Sequence, residues 1–259
     1  MKRLPISVCL ISGAEAHRIG RALSSVAGWT SEIVVVLNEE VEDGTEKIAH
    51  EYGAKVFREP WKGHIAQKNS AAQKATQPWL LALDADEAIS PELRAEIEQL
   101  FIISHSAPPH TAYRFPRCTF YCGRWIRYGD WYPDHQTRLW QRGQARWSGV
   151  DPHDRLEVEG VIGRLQKDLL HFSNDSINHH IRKIIPFSDE FVRQHATRNS
   201  LAVLDLAIRP AWRFVRAYFF RLGFLDGWPG YYIACLNAFS AVTRYTKIRE
   251  ARVSKEISQ

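Results

Sequence analysis

The sequence predicts an α/β protein that begins with a mostly parallel sheet flanked by helices. Over residues 1–104, short apolar runs alternate with stretches of helical periodicity, which is typical of parallel strands joined by crossover helices. From about residue 105 the runs become longer and richer in aromatic residues, which predicts antiparallel strands. From residue 176 helical patterns dominate. We therefore expect a domain at 1–175, with halves at 1–104 and 105–175, and a helical extension at 176–259.

Each element follows from a local pattern. Four apolar runs predict parallel strands at residues 6–11, 32–37, 54–57 and 79–83, with helices at 15–27, 45–52 and 63–76 between them. Ser90 is the expected N-cap of a fourth helix, because Pro91 follows at the first helical position with Glu92 behind it. Strands are also predicted within residues 113–127 and 136–147, and residues 164–172 close this part of the chain.

Three acids, Asp84, Asp86 and Glu87, follow the fourth predicted strand. They lie at the carboxyl end of that strand, where ligands bind in open α/β sheets. Asp84 and Asp86 would project to the same side of an extended chain, about 7 Å apart. Carboxylates in this position suit Mg²⁺ or Mn²⁺, which prefer oxygen ligands and leave room for phosphate oxygens. The alternative is a solvated acidic turn before a helix. No glycine-rich phosphate loop occurs in the sequence, so a nucleotide would be held through a metal and side chains.

An ordered set of segments resembles family 2 inverting glycosyltransferases of the GT-A fold, and among them the lipopolysaccharide inner-core β-1,4-glucosyltransferase branch. The segments are Ile6-Ser-Val-Cys-Leu-Ile11, Glu32-Ile-Val-Val-Val36, Asp43-Gly-Thr45, Pro60-Trp-Lys-Gly63, Gln67-Lys-Asn69 and Leu83-Asp-Ala-Asp-Glu87. The resemblance covers about residues 4–175 and continues weakly into Gly223-Phe-Leu-Asp-Gly227. It implies a Rossmann-like GT-A sheet, with a nucleotide-sugar-binding half at 1–104 and an acceptor half, with antiparallel strands, at 105–175.

The resemblance also implies roles for individual residues. Asp86 would bind the divalent metal, Mg²⁺ or Mn²⁺, and Asp84 would contact the sugar nucleotide. Lys68 and Asn69 would lie near the donor phosphates or sugar, and Glu15 would face the nucleoside. Without this context, a Lys-Asn pair on a helix is simply a solvated face.

One departure concerns the nucleoside. After the second strand the family usually has an aspartate that holds it, and this chain has Asn38, which carries no charge. Glu39 or Glu40 could substitute for it. A UDP-sugar is the favoured donor, but the departure leaves the donor base and the binding strength open.

An inverting transfer needs a general base for the acceptor hydroxyl. In the resembling branch a Val-His-Glu motif stands where this chain has His-Asp, so Asp154 is the expected base and Asp151 the second candidate. The alternative is an ordinary turn, since Asp-Pro often initiates one. Arg138 would pair with an acid or a phosphate, or form a structural ion pair. His171 would be a metal ligand or a phosphate donor, or would be structural.

The C-terminal part is basic and aromatic. The formal net charge is +5, and residues 200–259, with nine Lys/Arg and four Asp/Glu, carry all of it. A helix over residues 209–224 would separate an arginine face from an apolar face, the latter made of Trp212, Val215, Phe219 and Leu222. This pattern is typical of an interfacial helix on an anionic membrane surface. A helical hairpin packed on the catalytic domain, or a dimer contact, is the alternative.

Together these features predict a metal-dependent, inverting glycosyltransferase. It would move a hexose from a nucleotide diphosphate sugar to a lipid-linked glycan such as lipopolysaccharide core. The apolar run behind Lys2-Arg3 is too short for a signal peptide, so we expect a cytoplasmic protein, peripheral on the inner face of a bacterial cytoplasmic membrane. Two alternatives are a transferase acting on polyprenyl phosphate or protein, and a catalytically silent glycan- or membrane-binding module. No nucleic-acid-binding signature occurs, and we expect no nucleic-acid partner.

Overall fold

The computed structural model describes residues 3–103, 108–150, 153–173, 176–195 and 204–257. The chain divides into two compact units. The first unit is Met1–Arg117 with Asp134–His171, and the second unit is Cys118–Pro133 with Phe172–Gln259. This division reflects packing alone, so the domain limits expected from the sequence stay a prediction.

The first unit begins with the predicted alternation of strands and helices. In chain order the elements are β1 (Leu4–Ser12), α1 (Ile19–Val26), β2 (Thr30–Asn38), α2 (Thr45–Glu51), β3 (Lys55–Glu59), α3 (His64–Lys74), β4 (Trp79–Ala82), β5 (Glu87–Ile89) and α4 (Pro91–Ile103). The Ser90 hydroxyl accepts a hydrogen bond of 3.0 Å from the Leu93 N–H, so the predicted N-cap is confirmed. Strand β5 was not predicted, because three residues are too few to show a periodicity.

The remaining strands are mostly antiparallel. They are β6 (Ala112–Tyr121), β7 (Arg124–Ile126), β8 (Asp134–Gln141), β9 (Ala145–Val150), β10 (His153–Val158), β11 (Ile162–Arg164) and β12 (Leu169–His171). The main sheet has the order β3-β2-β1-β4-β8-β6-β12-β5, and β7 and β11 both pair with β6. Strands β3, β2, β1 and β4 are parallel to one another, whereas β8 runs antiparallel to β4 and β6. Strands β9 and β10 form a separate antiparallel pair.

Both faces of the parallel part are covered, as expected for strands that are apolar throughout. From β1, Ile6, Val8 and Leu10 pack with helices α1 and α4 in the larger core cluster. Cys9 points to the opposite face and packs in a second cluster with α3 and Trp147. The alternation follows from the two-residue period of a strand. Because β1, β2 and β4 are parallel, their carboxyl ends lie at one edge of the sheet.

The second unit is mainly helical. Its helices are α5 (Ile177–His195), α6 (Arg209–Val215) and α7 (Gly227–Ile257), with π-helical turns at Leu204–Ile208 and Arg216–Phe220 and a 3₁₀ turn at Gly223–Asp226. The helix predicted over residues 209–224 is therefore confirmed only as far as Phe220, as α6 and the π-helical turn that continues it, and residues 221–224 lie beyond its end. Leu222 has a positive φ of 57°, and α7 begins at Gly227.

Candidate active site

The three acids after β4 lie on a tight turn. The Glu87 N–H donates to the Asp84 carbonyl at 2.9 Å, and the Glu87 carboxylate accepts a bond of 3.0 Å from the Asp84 N–H. The side chain of Glu87 is fully buried. The extended geometry predicted for Asp84 and Asp86 is therefore wrong, and the turn gives these two carboxylates different partners.

Asp84 faces two cations. Arg138 Nη2 on β8 lies 2.6 Å from Asp84 Oδ2 and 2.9 Å from Glu87 Oε1, while Lys68 Nζ on α3 lies 3.2 Å from Asp84 Oδ1. Burial alone would raise the pKa of Asp84, but the charges of Arg138 and Lys68 outweigh it and hold the pKa well below its usual range. Asp84 is thus ionised, and Arg138 is a buried ion-pair partner on the floor of the site.

Lys68 connects Asp84 to the predicted base. Its Nζ atom lies 2.7 Å from Asp154 Oδ2 on β10 and 4.6 Å from the centre of the Trp147 ring on β9. The side chains of Lys68 and Asp154 are both largely buried. One ammonium group therefore joins an acid at the end of β4 to an acid on the β9–β10 hairpin.

Asp86 faces the other way, toward β12. The pairing of β12 with β5 places His171 opposite Glu87, and His171 Nε2 lies 3.6 Å from Asp86 Oδ2. Burial opposes ionisation of Asp86, but the hydrogen bond and charge of His171 outweigh it and hold the pKa of Asp86 below its usual value. Arg18 Nη1 is 3.8 Å from the same Asp86 oxygen.

Glu15 lies in the loop after β1, and its carboxylate is bound by the guanidinium of Arg18 through two hydrogen bonds. A turn at Asp43 and Thr45 holds this loop in place. Thr45 Oγ1 accepts the Glu15 N–H at 2.9 Å, and Asp43 accepts the Ala16 N–H at 3.0 Å. Glu15, which is predicted to face the nucleoside, therefore forms an ion pair with Arg18. The loop that carries Glu15 is hydrogen-bonded to the N-terminus of α2.

The two asparagines in the prediction differ in their surroundings. Asn38 is the last residue of β2, and its side-chain oxygen accepts a long bond of 3.4 Å from the Glu40 N–H. Asn69 holds α3 against β9, since its amide donates to the Trp147 carbonyl and accepts from the Trp147 N–H, both at 2.9 Å. Asp151 lies outside the described residues.

The structure brings together Lys68, Asp84, Arg138 and Asp154 in one cluster, and Asp86 with His171 beside it. Sequence reasoning gave no role to Glu87, although it is one of the three acids after the fourth strand, and it missed Arg117 and Arg18. Arg117 bridges Glu87 at 3.1 Å and Asp134 at 2.7 Å, so it extends the buried ion network. Glu87 could have been recognised from its place directly after the two aspartates. No local pattern distinguishes Arg18 or Arg117 from other surface arginines.

Asp86 and His171 fit a divalent cation as two protein ligands. One carboxylate and one imidazole face each other across the end of the sheet, and such a pair leaves the remaining coordination positions for water and phosphate oxygens. Among the described residues, no three His, Cys, Asp or Glu side chains are arranged to hold a metal ion.

Comparisons with known proteins identify the family of this chain. Residues 7–105 match the model of Glycosyl transferase family 2. The chain is 31% identical to an uncharacterized glycosyltransferase, RP128, of Rickettsia prowazekii, over 97% of this chain and 89% of the relative. It is 26% identical to the lipopolysaccharide core biosynthesis glycosyltransferase LpsC of Rhizobium meliloti, over 98% of this chain and 95% of that protein. The chain belongs to glycosyl transferase family 2 and is a glycosyltransferase.

Solved structures confirm the predicted GT-A fold. The mannosyltransferase PcManGT from Pyrobaculum calidifontis, in complex with GDP-Man and Mn²⁺, has a TM-score of 0.54 at 12% identity, covering 96% of this chain and 88% of that one. Residues 1–349 of S. aureus TarS, in complex with UDP-GlcNAc, have a TM-score of 0.51 at 13% identity, covering 99% and 93%. At these identities the likeness concerns the fold alone.

Proposed function

We propose that this glycosyltransferase moves a hexose, with inversion, from a nucleotide diphosphate sugar to a lipid-linked glycan such as lipopolysaccharide core. The observation that carries the proposal is the position of Lys68 between Asp84 and Asp154. Both carboxylates bind the same nitrogen, so their oxygens are at most about 6 Å apart, which is the sum of the two distances. An acid on the donor side and an acid on the acceptor side thus flank one small space.

In this proposal Asp154 takes the proton of the acceptor hydroxyl while that oxygen attacks the anomeric carbon of the sugar. The bond between the sugar and the diphosphate breaks as the new bond forms, and the electron pair leaves with the nucleoside diphosphate. In the structure Lys68 is bound to Asp154. A diphosphate, with more negative charge, would compete for the ammonium and leave the Asp154 carboxylate available to the acceptor.

Asp86 and His171 would hold the divalent metal, Mg²⁺ or Mn²⁺, for which the Mn²⁺ in the PcManGT complex provides support. When bound, such a cation supplies positive charge against the charge that builds on the leaving diphosphate. Arg138 keeps Asp84 ionised and fixed by an ion pair of 2.6 Å. The chain itself therefore orients the acids before any nucleotide arrives.

The nucleobase of the sugar donor is inferred from similar structures. The two similar structures bind GDP-Man and UDP-GlcNAc, so the fold accepts either nucleoside. We keep a UDP-sugar as the favoured donor and place its nucleoside between the loop of Glu15 and the end of β2 at Asn38. The relative LpsC acts in lipopolysaccharide core biosynthesis, which supports a glycolipid acceptor.

A glycolipid acceptor implies work at a membrane surface. No helix in the described part of the chain is long and apolar enough to span a membrane. The excess positive charge of residues 200–259 supports contact with anionic lipid, and we propose peripheral binding at the inner face of the cytoplasmic membrane through the basic C-terminal helices.

Donor binding is tested first by thermal unfolding with UDP-, GDP-, ADP- and CMP-sugars, with and without Mn²⁺. A donor that binds the folded state stabilises it by about 2.7 kcal/mol at a hundredfold excess over its Kd, so the midpoint must rise. We expect a metal-dependent rise with one donor, lost in Asp86→Ala and kept in Asp189→Ala, whose side chain is 55% exposed. No rise with any donor at millimolar concentration would contradict the proposed donor site.

Transfer is tested with the donor so identified and membrane lipid as acceptor. We expect Asp154→Asn to retain the donor-induced rise and to lose transfer by about 100-fold or more, as for the removal of a general base. Asp189→Asn serves as the matched control. Labelled product that is identified as a polyprenyl phosphate sugar, or that stays with protein, would replace the glycolipid acceptor by polyprenyl phosphate or by protein.

A further inference from the structure

The second unit carries a patch of exposed apolar side chains around a turn. We call the segment from Phe219 to Trp228 the apolar turn. Six of its side chains are between 44% and 69% exposed: Phe219, Phe220, Leu222, Phe224, Leu225 and Trp228. Contiguous exposed apolar surface of this kind marks a binding or membrane-contact surface far more often than scattered single residues do.

Several of these side chains contact other aromatic rings. The ring of Tyr218 lies 5.1 Å from that of Phe219, 6.2 Å from that of Phe224 and 5.6 Å from that of Tyr231. The ring of Phe220 lies 5.5 Å from that of Trp212, which is itself exposed. The half-buried Tyr218 thus links the exposed rings of Phe219 and Phe224.

The backbone beneath the apolar turn is rigid. The buried carboxylate of Asp226 accepts the main-chain N–H groups of Arg127, at 3.1 and 3.2 Å, and of Tyr128, at 2.8 Å. A Cβ on Gly223 would lie 2.6 Å from the Ala217 carbonyl oxygen, and one on Gly230 would overlap the Gly223 carbonyl oxygen. The turn is therefore closely packed on its inner side, and its apolar side chains are held outward.

Leu222 combines an unfavourable backbone conformation with an exposed side chain. It adopts a left-handed conformation with φ of 57°, which costs a leucine roughly 1–2 kcal/mol. Its side chain is nonetheless 44% exposed, so it gains little burial in return. Strain of this kind persists where the surrounding structure imposes it, often at a functional surface.

Three half-exposed arginines border the apolar turn. Arg124 Nη2 lies 3.4 Å from the Leu225 carbonyl oxygen and 3.8 Å from Asp226 Oδ1. Arg216 Nη2 and Arg221 Nε lie 3.3 and 3.9 Å from Asp130 Oδ1. The side chains of Arg124, Arg216 and Arg221 are 45%, 41% and 48% exposed, whereas Asp226 is buried, so the charge that this border presents to solvent is mainly positive.

We propose that the apolar turn is the element that enters the headgroup region of an anionic phospholipid bilayer, with the surrounding arginines on the lipid phosphates. This deepens the membrane partner proposed above and rests on it. An apolar surface bordered by arginines suits an anionic membrane interface. Aromatic side chains lie at the level of the lipid headgroups there, and each basic residue is attracted to the lipid phosphates. The inserted element is thus a rigid turn, not the continuous amphipathic helix that the sequence predicts.

The test is co-sedimentation of the full chain with phosphatidylcholine vesicles, with and without phosphatidylglycerol. We expect binding to the anionic vesicles that weakens with added salt. The double variant Phe224→Ser/Leu225→Ser should bind at least about ten-fold more weakly, because two apolar side chains no longer leave water. Trp228→Ser is a second, independent variant, and Val161→Ser, 63% exposed in the first unit, is the matched control.

Thermal unfolding is the control for folding. We expect each variant to unfold as wild type does, because all four substituted side chains are exposed. The proposal would be overturned if wild-type protein did not bind anionic vesicles, or if the double variant bound them as tightly as wild type. A wild-type dimer that becomes monomeric in the double variant, without vesicle binding, would show instead a contact between two copies of the chain. Donor-induced stabilisation is measured without vesicles, so a failure of the glycosyl-transfer proposal is seen separately.

Discussion

Replacing Arg138 by methionine should destabilise the first unit strongly. The Arg138 side chain is 4% exposed and binds Asp84 at 2.6 Å and Glu87 at 2.9 Å. Removing one partner from a buried ion pair costs about 3–5 kcal/mol, because the remaining charge is left without compensation. Here Glu87 keeps Arg117 and Asp84 keeps Lys68, so we expect the lower end, about 3 kcal/mol. In a chain of this length the loss lowers the unfolding midpoint by about 6–12 °C.

The loss is measured by urea unfolding and by thermal unfolding of both proteins. The matched control is Arg155→Met, whose arginine side chain is 74% exposed and binds Glu157 at 2.9 Å. An exposed pair contributes less than about 1 kcal/mol. We also expect Glu87→Gln to restore part of the loss in the Arg138→Met background, because it removes one uncompensated charge. Equal costs for Arg138→Met and Arg155→Met would refute the reasoning that Arg138 neutralises buried acids.

Three further outcomes are expected. Lys68→Met should lower kcat more than Lys68→Arg does, because only arginine keeps a cation beside Asp154; equal loss in both variants would contradict a role for the charge. Burial opposes ionisation of Glu32, but the hydrogen bonds to its carboxylate outweigh burial and lower the pKa of Glu32 to about 2 from 4.5. Ionised Glu32 therefore stabilises the fold by about 3 kcal/mol above pH 4.5, and this stabilisation should be lost as the pH falls toward 2. Unfolding free energies across this range should show that Glu32→Gln removes this part of the pH dependence. Gly230→Ala should lower the unfolding midpoint, since its Cβ would overlap the Gly223 carbonyl; an unchanged midpoint would show that the turn can move.

Local patterns were sufficient for the parallel half of the fold. The apolar runs at residues 6–11 and 32–37 lie within β1 and β2, and Ser90 begins α4 through its side-chain oxygen. These features depend on neighbours within a few residues, because strand burial, helix capping and turns are settled by local sequence. The same holds for the location of Asp84 and Asp86 directly after β4.

The tail shows where a local pattern misleads. Helical spacing separates arginines from apolar residues over residues 209–224, and this favours an amphipathic helix. In the structure the close contact of Gly223 with Ala217 and of Gly230 with Gly223, together with the buried carboxylate of Asp226, ends the helix and forms the apolar turn. These packing contacts depend on the folded second unit and leave no periodic signal.

The sequence by itself determined the family, the order of the elements and the edge of the sheet that carries the acids. Only the tertiary structure decided which groups meet there. Lys68 and Asp154 are 86 residues apart, Arg138 and Asp84 are 54 apart, and His171 reaches Asp86 only because β12 pairs with β5. The physical reason is that hydrogen-bonded strand pairing and helix packing join distant segments, whereas spacing along the chain records only neighbours. The ion network around Asp84 is therefore a property of the folded sheet.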